Sequence, residues 1–279
     1  MTSPYGPDPR TGPDRSGEPS WTGMAPMNAV HHDSSGSASY WRAEEAAARR
    51  RPRGRWGIPA ASTVLLVNLA GFLLAPLVFD TDVPGVYVLA IMLPSLAALT
   101  LSLAISWRRG NGPVVDFGLP TSATEFGNQL RTGLIWGLAA LAGAIVLALV
   151  VLLQTDLGDQ VPLAGLGVLS PTWKIVLALW IWLGAPFCEE VMFRGMAWGA
   201  LERRVPPMRG AWLGNKWVIL VVTAVAFALW HREGWRLVIL VWGGLAIGIA
   251  RMRSGSVMSS TIAHSTNNAL PALAILLVA

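Results

Sequence analysis

The sequence predicts an all-α polytopic membrane bundle of about seven spanning helices, six and eight being the bounds. Three observations predict it. Of 279 residues, 53% are hydrophobic and only 13% charged, and the mean hydropathy is +0.49. Soluble domains carry roughly 45–50% apolar and about 25% charged residues. Long apolar runs follow one another closely, and the basic residues cluster at alternate ends of those runs. In a bilayer every backbone polar group must be paired internally, so helices are the secondary structure expected.

Residues 1–55 form a separate region, predicted to be a disordered cytoplasmic tail. Pro4, Pro7, Pro9, Pro13, Pro19 and Pro26 lie among Gly, Ser and Asp with no apolar period. Such a segment buries too little surface to offset its ordering entropy. It has no apolar core of the kind a secretory signal needs. The pair His31–His32 reads as part of a solvated tail. The run "RAEEAAARRRPRGR" (42–55) is expected to begin as a surface helix that Pro52 ends.

The apolar runs lie near 58–79, 86–107, 132–153, 175–200, 214–231, 235–250 and 257–279. A span takes about 20 residues at about 1.5 Å each. The fifth and sixth runs are therefore short. Two further regions follow from this reading: N-terminal spans over 56–171 and a site-bearing core over 172–279. Glycines 243, 244 and 248 would let the sixth helix approach a neighbour closely.

Loop charges set the orientation. Arg49, Arg50, Arg51, Arg53 and Arg55 precede the first run, Arg108 and Arg109 follow the second, and Arg131 precedes the third. Arg203, Arg204, Arg209 and Lys216 separate the fourth from the fifth, and Arg251 and Arg253 the sixth from the seventh. The alternate loops carry Asp80, Asp82, Asp156 and Asp159, with Arg232 and Arg236 as mild exceptions. The positive-inside rule then puts the N-terminus in the cytoplasm and the C-terminus outside, and the plasma membrane is the location expected. The net charge of +5 is explained by this orientation, so no nucleic-acid partner is expected; the lipid bilayer is the partner implied. The single cysteine, Cys188, excludes an intrachain disulfide and thiolate metal clusters, and reads as buried apolar filler.

A charged group at mid-membrane costs about 2.5–3.5 kcal/mol on insertion scales, so each one asks for a functional reason. The fourth run holds "CEEVMFR" (188–194). Glu190 and Arg194 are four apart with the acid first, the favourable order for a helical ion pair. Glu189 is turned about 100° away from Glu190 and is left for chemistry. The fifth run ends in "FALWHREGW", with Phe227 and His231 on one face. The seventh contains "AHSTNNALP", where His264 and Asn268 share a face and Asn267 points elsewhere. From the cytoplasmic ends, His264 lies about 12 Å and His231 about 22 Å deep, with Glu189 between them. One intramembrane pocket could collect all of these groups.

A carboxylate and an imidazole beside a water molecule can act as base and orienter. Asn268 and the second imidazole can donate to an oxyanion. That set suits hydrolysis of a peptide bond. A zinc ion on Glu189, His231 and His264 would also give a hydrolase, and the sequence leaves both open, without metal favoured.

The motifs E-E-x-x-x-R (189–194), F-x-x-x-H (227–231) and H-x-x-x-N (264–268) resemble those of the CPBP family. These are CAAX prenyl endoproteases of the Rce1 type with their Abi and bacteriocin-processing relatives. The resemblance covers about 172–275, and "DFGLP" (116–120) is similar to a loop often preceding that domain. It implies an intramembrane endopeptidase acting on a peptide or protein at the membrane. Glu189 would activate water with His231 assisting, and His264 and Asn268 would stabilise the oxyanion. Glu190, Arg194 and Phe227 would support them. Two other readings stay open: a non-catalytic scaffold or immunity protein, and a transporter, which would also bury Glu, His and Arg.

Overall fold

The computed structural model describes residues 56–80, 82–154, 169–204 and 216–277. The expected disordered tail and the surface helix over 42–51 fall outside the described residues.

Proline opens four of the eight helices described, its fixed φ suiting the first turn where no N–H partner is needed. Pro59 begins α1 (Ile58–Val78), Pro84 begins α2 (Pro84–Arg109), and Pro113 begins the one-turn α3 (Pro113–Asp116). Helix α4 (Ala123–Gln154) follows, then the 34-residue α5 (Pro171–Arg204), opened by Pro171. The last three are α6 (Lys216–Trp230), α7 (Leu237–Ser254) and α8 (Val257–Leu277). Gly255 ends α7 at φ 69°, its N–H donating to the Arg251 carbonyl at 2.9 Å, with Arg251 and Arg253 in the last turn facing the negative helix end.

The bundle meets the expectation of a helical membrane protein. Among the described residues, five helices are long and apolar enough to cross a bilayer: α1, α2, α4, α5 and α7 with the turn that leads into it. Helix α6 has 15 residues, about 22 Å of rise against a hydrocarbon core of about 30 Å. Helix α8 is long enough at 21 residues but falls below that apolarity. Its polar residues point inward instead, with Ser259, Ser260 and His264 all buried. Large apolar side chains such as Leu77, Leu138 and Leu153 face outward on α1 and α4, as a lipid-facing surface requires.

Helix α5 occupies the middle of the bundle, packed on α1, α2, α6 and α8. It is not uniformly α-helical. Two wider, π-helical stretches, Trp180–Gly184 and Val191–Ala197, bracket the short α-helical segment Ala185–Glu190. Such turns leave carbonyls off the regular ladder, and side chains of α7 and α8 take them up, as described below.

The segment 116–120 locks the membrane-edge end of the core. Asp116 accepts hydrogen bonds from Trp56 Nε1 (3.0 Å), Ser106 Oγ (2.7 Å) and Arg203 Nη2 (3.1 Å), so α2 and α5 meet at one carboxylate. Phe117 is fully buried against Gly195 of α5, and its carbonyl accepts from Val257 N at the start of α8 (2.9 Å). Gly118 has φ 60°, and a Cβ there would run into the Gly255 carbonyl. Of the glycines expected to allow close packing, Gly244 lies 3.0 Å from Ala224 of α6 at the Cβ position, and Gly248 abuts Leu220. Gly243 does not serve this purpose, because a Cβ there would meet nothing within 4 Å.

Candidate active site

The site is built around the α-helical segment of α5. Glu189 and Glu190 diverge as the helix repeat requires. Glu190 is wholly buried, whereas the Glu189 side chain keeps 22% exposure. The buried acid is neutralised within its own helix, Arg194 Nη1 donating to Glu190 Oε1 at 2.8 Å. Arg194 is itself fully buried and held on other sides. Its Nη2 donates to the Gly244 carbonyl (2.8 Å), its guanidinium lies 4.7 Å from the Phe227 ring, and its carbonyl accepts from Arg251 Nε (3.0 Å). That carbonyl belongs to the second π-helical stretch.

Helix α8 brings His264 to the same carboxylate. Its Nδ1 lies 3.0 Å from Glu190 Oε1, and its Nε2 lies 3.9 Å from Glu189 Oε2. An ionised carboxylate only accepts, so Nδ1 carries the proton in that contact. His231, just past the end of α6, has Nδ1 2.9 Å from the Phe227 carbonyl, which likewise fixes the proton on Nδ1. In the neutral form both imidazoles therefore present Nε2 as an acceptor. Phe227 joins the two: its ring is 4.6 Å from that of His231 and 5.5 Å, edge-on, from that of His264.

The expected Glu190–Arg194 pair forms, and Oε1 serves His264 as well. This is possible because the two donors approach from different helices. Asn267 Nδ2 donates to Asn268 Oδ1 at 3.1 Å. Asn268 in turn donates from Nδ2 to the Ile181 carbonyl (3.1 Å), in the first π-helical stretch of α5. An amide nitrogen has two N–H bonds, so one remains for another acceptor. Cys188, beside Glu189, is a buried free thiol as expected.

The arrangement sets a part-exposed carboxylate, Glu189, against the His264 imidazole, with the His231 ring reached through Phe227 and the Asn268 amide one turn along α8 from His264. Glu189 Oε2 is buried without a hydrogen-bond partner, a costly state for a carboxylate oxygen unless another molecule contacts it. Among the described residues, no three of His, Cys, Asp and Glu gather closely enough to hold a metal ion.

Sequence reasoning missed several contributors. Asn68, in α1, is wholly buried and contacts Trp230, next to His231. It is the one amide in the run 58–79, and that isolation was the available signal. Arg251 was counted as a loop charge, although it is buried and holds the Arg194 carbonyl.

Residues 171–270 match the family model described as Rce1-like, type II CAAX prenyl endopeptidase. This is the likeness expected from the three motifs, over nearly the same stretch, and the family is one of membrane proteases. No curated protein and no solved structure matches the chain.

Proposed function

From the likeness of residues 171–270 to CAAX prenyl endopeptidases, we propose that this protein is an intramembrane endopeptidase using a glutamate-activated water. The observation that carries the reading is Glu189 Oε2, unpartnered beside His264 Nε2 at 3.9 Å. A water molecule in contact with both would have its proton acceptor and its orienting group in place.

In this reading Glu189 takes a proton from the water as its oxygen attacks the scissile carbonyl carbon. His231 assists through Nε2, its Nδ1 being held by the Phe227 carbonyl. The carbonyl oxygen becomes an oxyanion, which the free N–H of Asn268 stabilises, together with His264 when it carries both protons. Collapse breaks the C–N bond, and Glu189 returns its proton to the departing amine. Glu190, Arg194 and Phe227 keep the imidazoles in place without touching substrate. The substrate is a peptide or protein within or at the plasma membrane, and no metal takes part.

Comparing membrane-proteome cleavage products between cells carrying wild type and Glu189→Gln tests the reading. Products present only with wild type support it. Identical product sets at equal protein levels would sink it in favour of a scaffold role.

A further inference from the structure

The polypeptide turns directly after α6. The His231 N–H donates to the Ala228 carbonyl at 3.3 Å and the Arg232 N–H to the Leu229 carbonyl at 3.1 Å, while Arg232 adopts φ 54°. Helix termini leave carbonyls without intrahelical partners and fray unless something holds them. At this terminus Trp230 Nε1 donates to Asn68 Oδ1 at 3.0 Å, across 162 residues of sequence. Asn68 lies about 15 Å along α1 and is wholly buried. Its Nδ2 reaches Ser95 Oγ of α2 at 3.4 Å. One amide thus ties α1, α2 and the end of α6 together.

The same tryptophan enters an aromatic chain that leads back to the site. Its ring meets Phe193 edge-on at 5.9 Å, Phe193 meets Phe227 edge-on at 5.4 Å, and Phe227 lies against His231 at 4.6 Å. His231 is therefore placed from two directions. Its backbone is held through Trp230, and its ring through Phe227.

We infer that Asn68 is a positioning residue for His231, acting through the indole of Trp230. Helix α1 lies outside the stretch matched to the protease family, so the inference makes an N-terminal helix part of the site's construction. A buried amide retained at mid-membrane needs such a use, because leucine would be cheaper there. The catalytic meaning of this placement rests on the proposed reaction; the placement itself does not.

The test uses the full chain labelled with 15N-histidine in phosphatidylcholine nanodiscs. The chain has four histidines, and His231→Gln and His264→Gln assign the two site rings. Asn68→Leu and Trp230→Phe should each shift the His231 ring signals and leave His264, held by Glu190, in place. The double variant should shift His231 no further than either single one. On peptides that the wild type cleaves, kcat should fall roughly tenfold with KM little changed, as for a displaced but intact group. Should Asn68→Leu fail to accumulate, Asn68→Ala carries the test, because it removes the acceptor of the indole N–H and leaves Trp230 and its ring contacts in place. Unmoved His231 signals overturn the inference, and so does equal movement of His264, which would mean general loosening. A wild type that cleaves no peptide sinks the proposed reaction alone, since the His231 signals still decide the positioning.

Discussion

His264 contacts Glu190 at 3.0 Å through Nδ1, so the buried acid of the pair sets the proton position of the imidazole that faces the other acid. The two neighbouring glutamates thereby separate into one held by Arg194 and His264 and one with an unpartnered oxygen, the reactive one in the proposed reaction.

Their amide variants should differ accordingly. Glu190→Gln leaves Arg194, wholly buried, without its counter-charge, and breaking a buried pair costs about 3–5 kcal/mol. Lower abundance and a lower thermal midpoint are expected, read by fluorescence size-exclusion in detergent. Glu189→Gln removes no ion pair within its helix and should leave the midpoint close to wild type while abolishing cleavage. Equal midpoints for the two variants would contradict this division.

The ion pair was legible in the sequence because a spacing of four on one helix is local. So were the order of the helices and the inward face of α8, since both follow from periodicity. The Asn68–Trp230 contact was not legible, because its partners are 162 residues apart and neither lies in a motif. The π-helical stretches of α5 were equally hidden. Their carbonyls are taken by Asn268 and Arg251 from other helices, so tertiary packing accompanies a local deviation that propensity does not encode. The double use of Glu190 escaped for a similar reason, its second donor coming from α8.

Orientation is testable independently of chemistry. The basic clusters predict that a reporter fused near residue 206 lies in the cytoplasm and one near residue 158 lies outside. Both reporters on one side would overturn the span order.

The segment 116–120 yields a packing prediction. At Gly118, φ 60° and the nearby Gly255 carbonyl leave no room for a side chain. Gly118→Val should cost on the order of 1–3 kcal/mol from backbone strain and overpacking. Gly127, in the first part of α4, has nothing within 4 Å of a Cβ. There, Gly127→Ala should gain up to about 1 kcal/mol from helix propensity. Unfolding midpoints of both variants in one detergent would check the pair, and a tolerated Gly118→Val would contradict the tight approach of this loop to the end of α7.

Metal dependence turns on geometry that the sequence judged on a different ground. Zinc-bound histidines usually have their second nitrogen fixed by a carboxylate or carbonyl, and the Glu190–Arg194 pairing read from the sequence spacing would leave no further intramembrane carboxylate for this. That objection falls, because Glu190 holds His264 Nδ1 and the Phe227 carbonyl holds His231 Nδ1. A water without metal belongs to the proposed reaction, in which Glu189 itself takes the proton; a catalytic zinc site would instead need three ligands at about 2.0–2.2 Å from one point. Asn268 is bonded to Ile181 and placed as a donor. The purified protein should therefore keep its peptidase activity after exhaustive chelation and contain far less than one zinc per chain by elemental analysis. Stoichiometric zinc, with activity lost on chelation and restored by zinc alone, would make Glu189, His231 and His264 ligands and require them to close up around the ion.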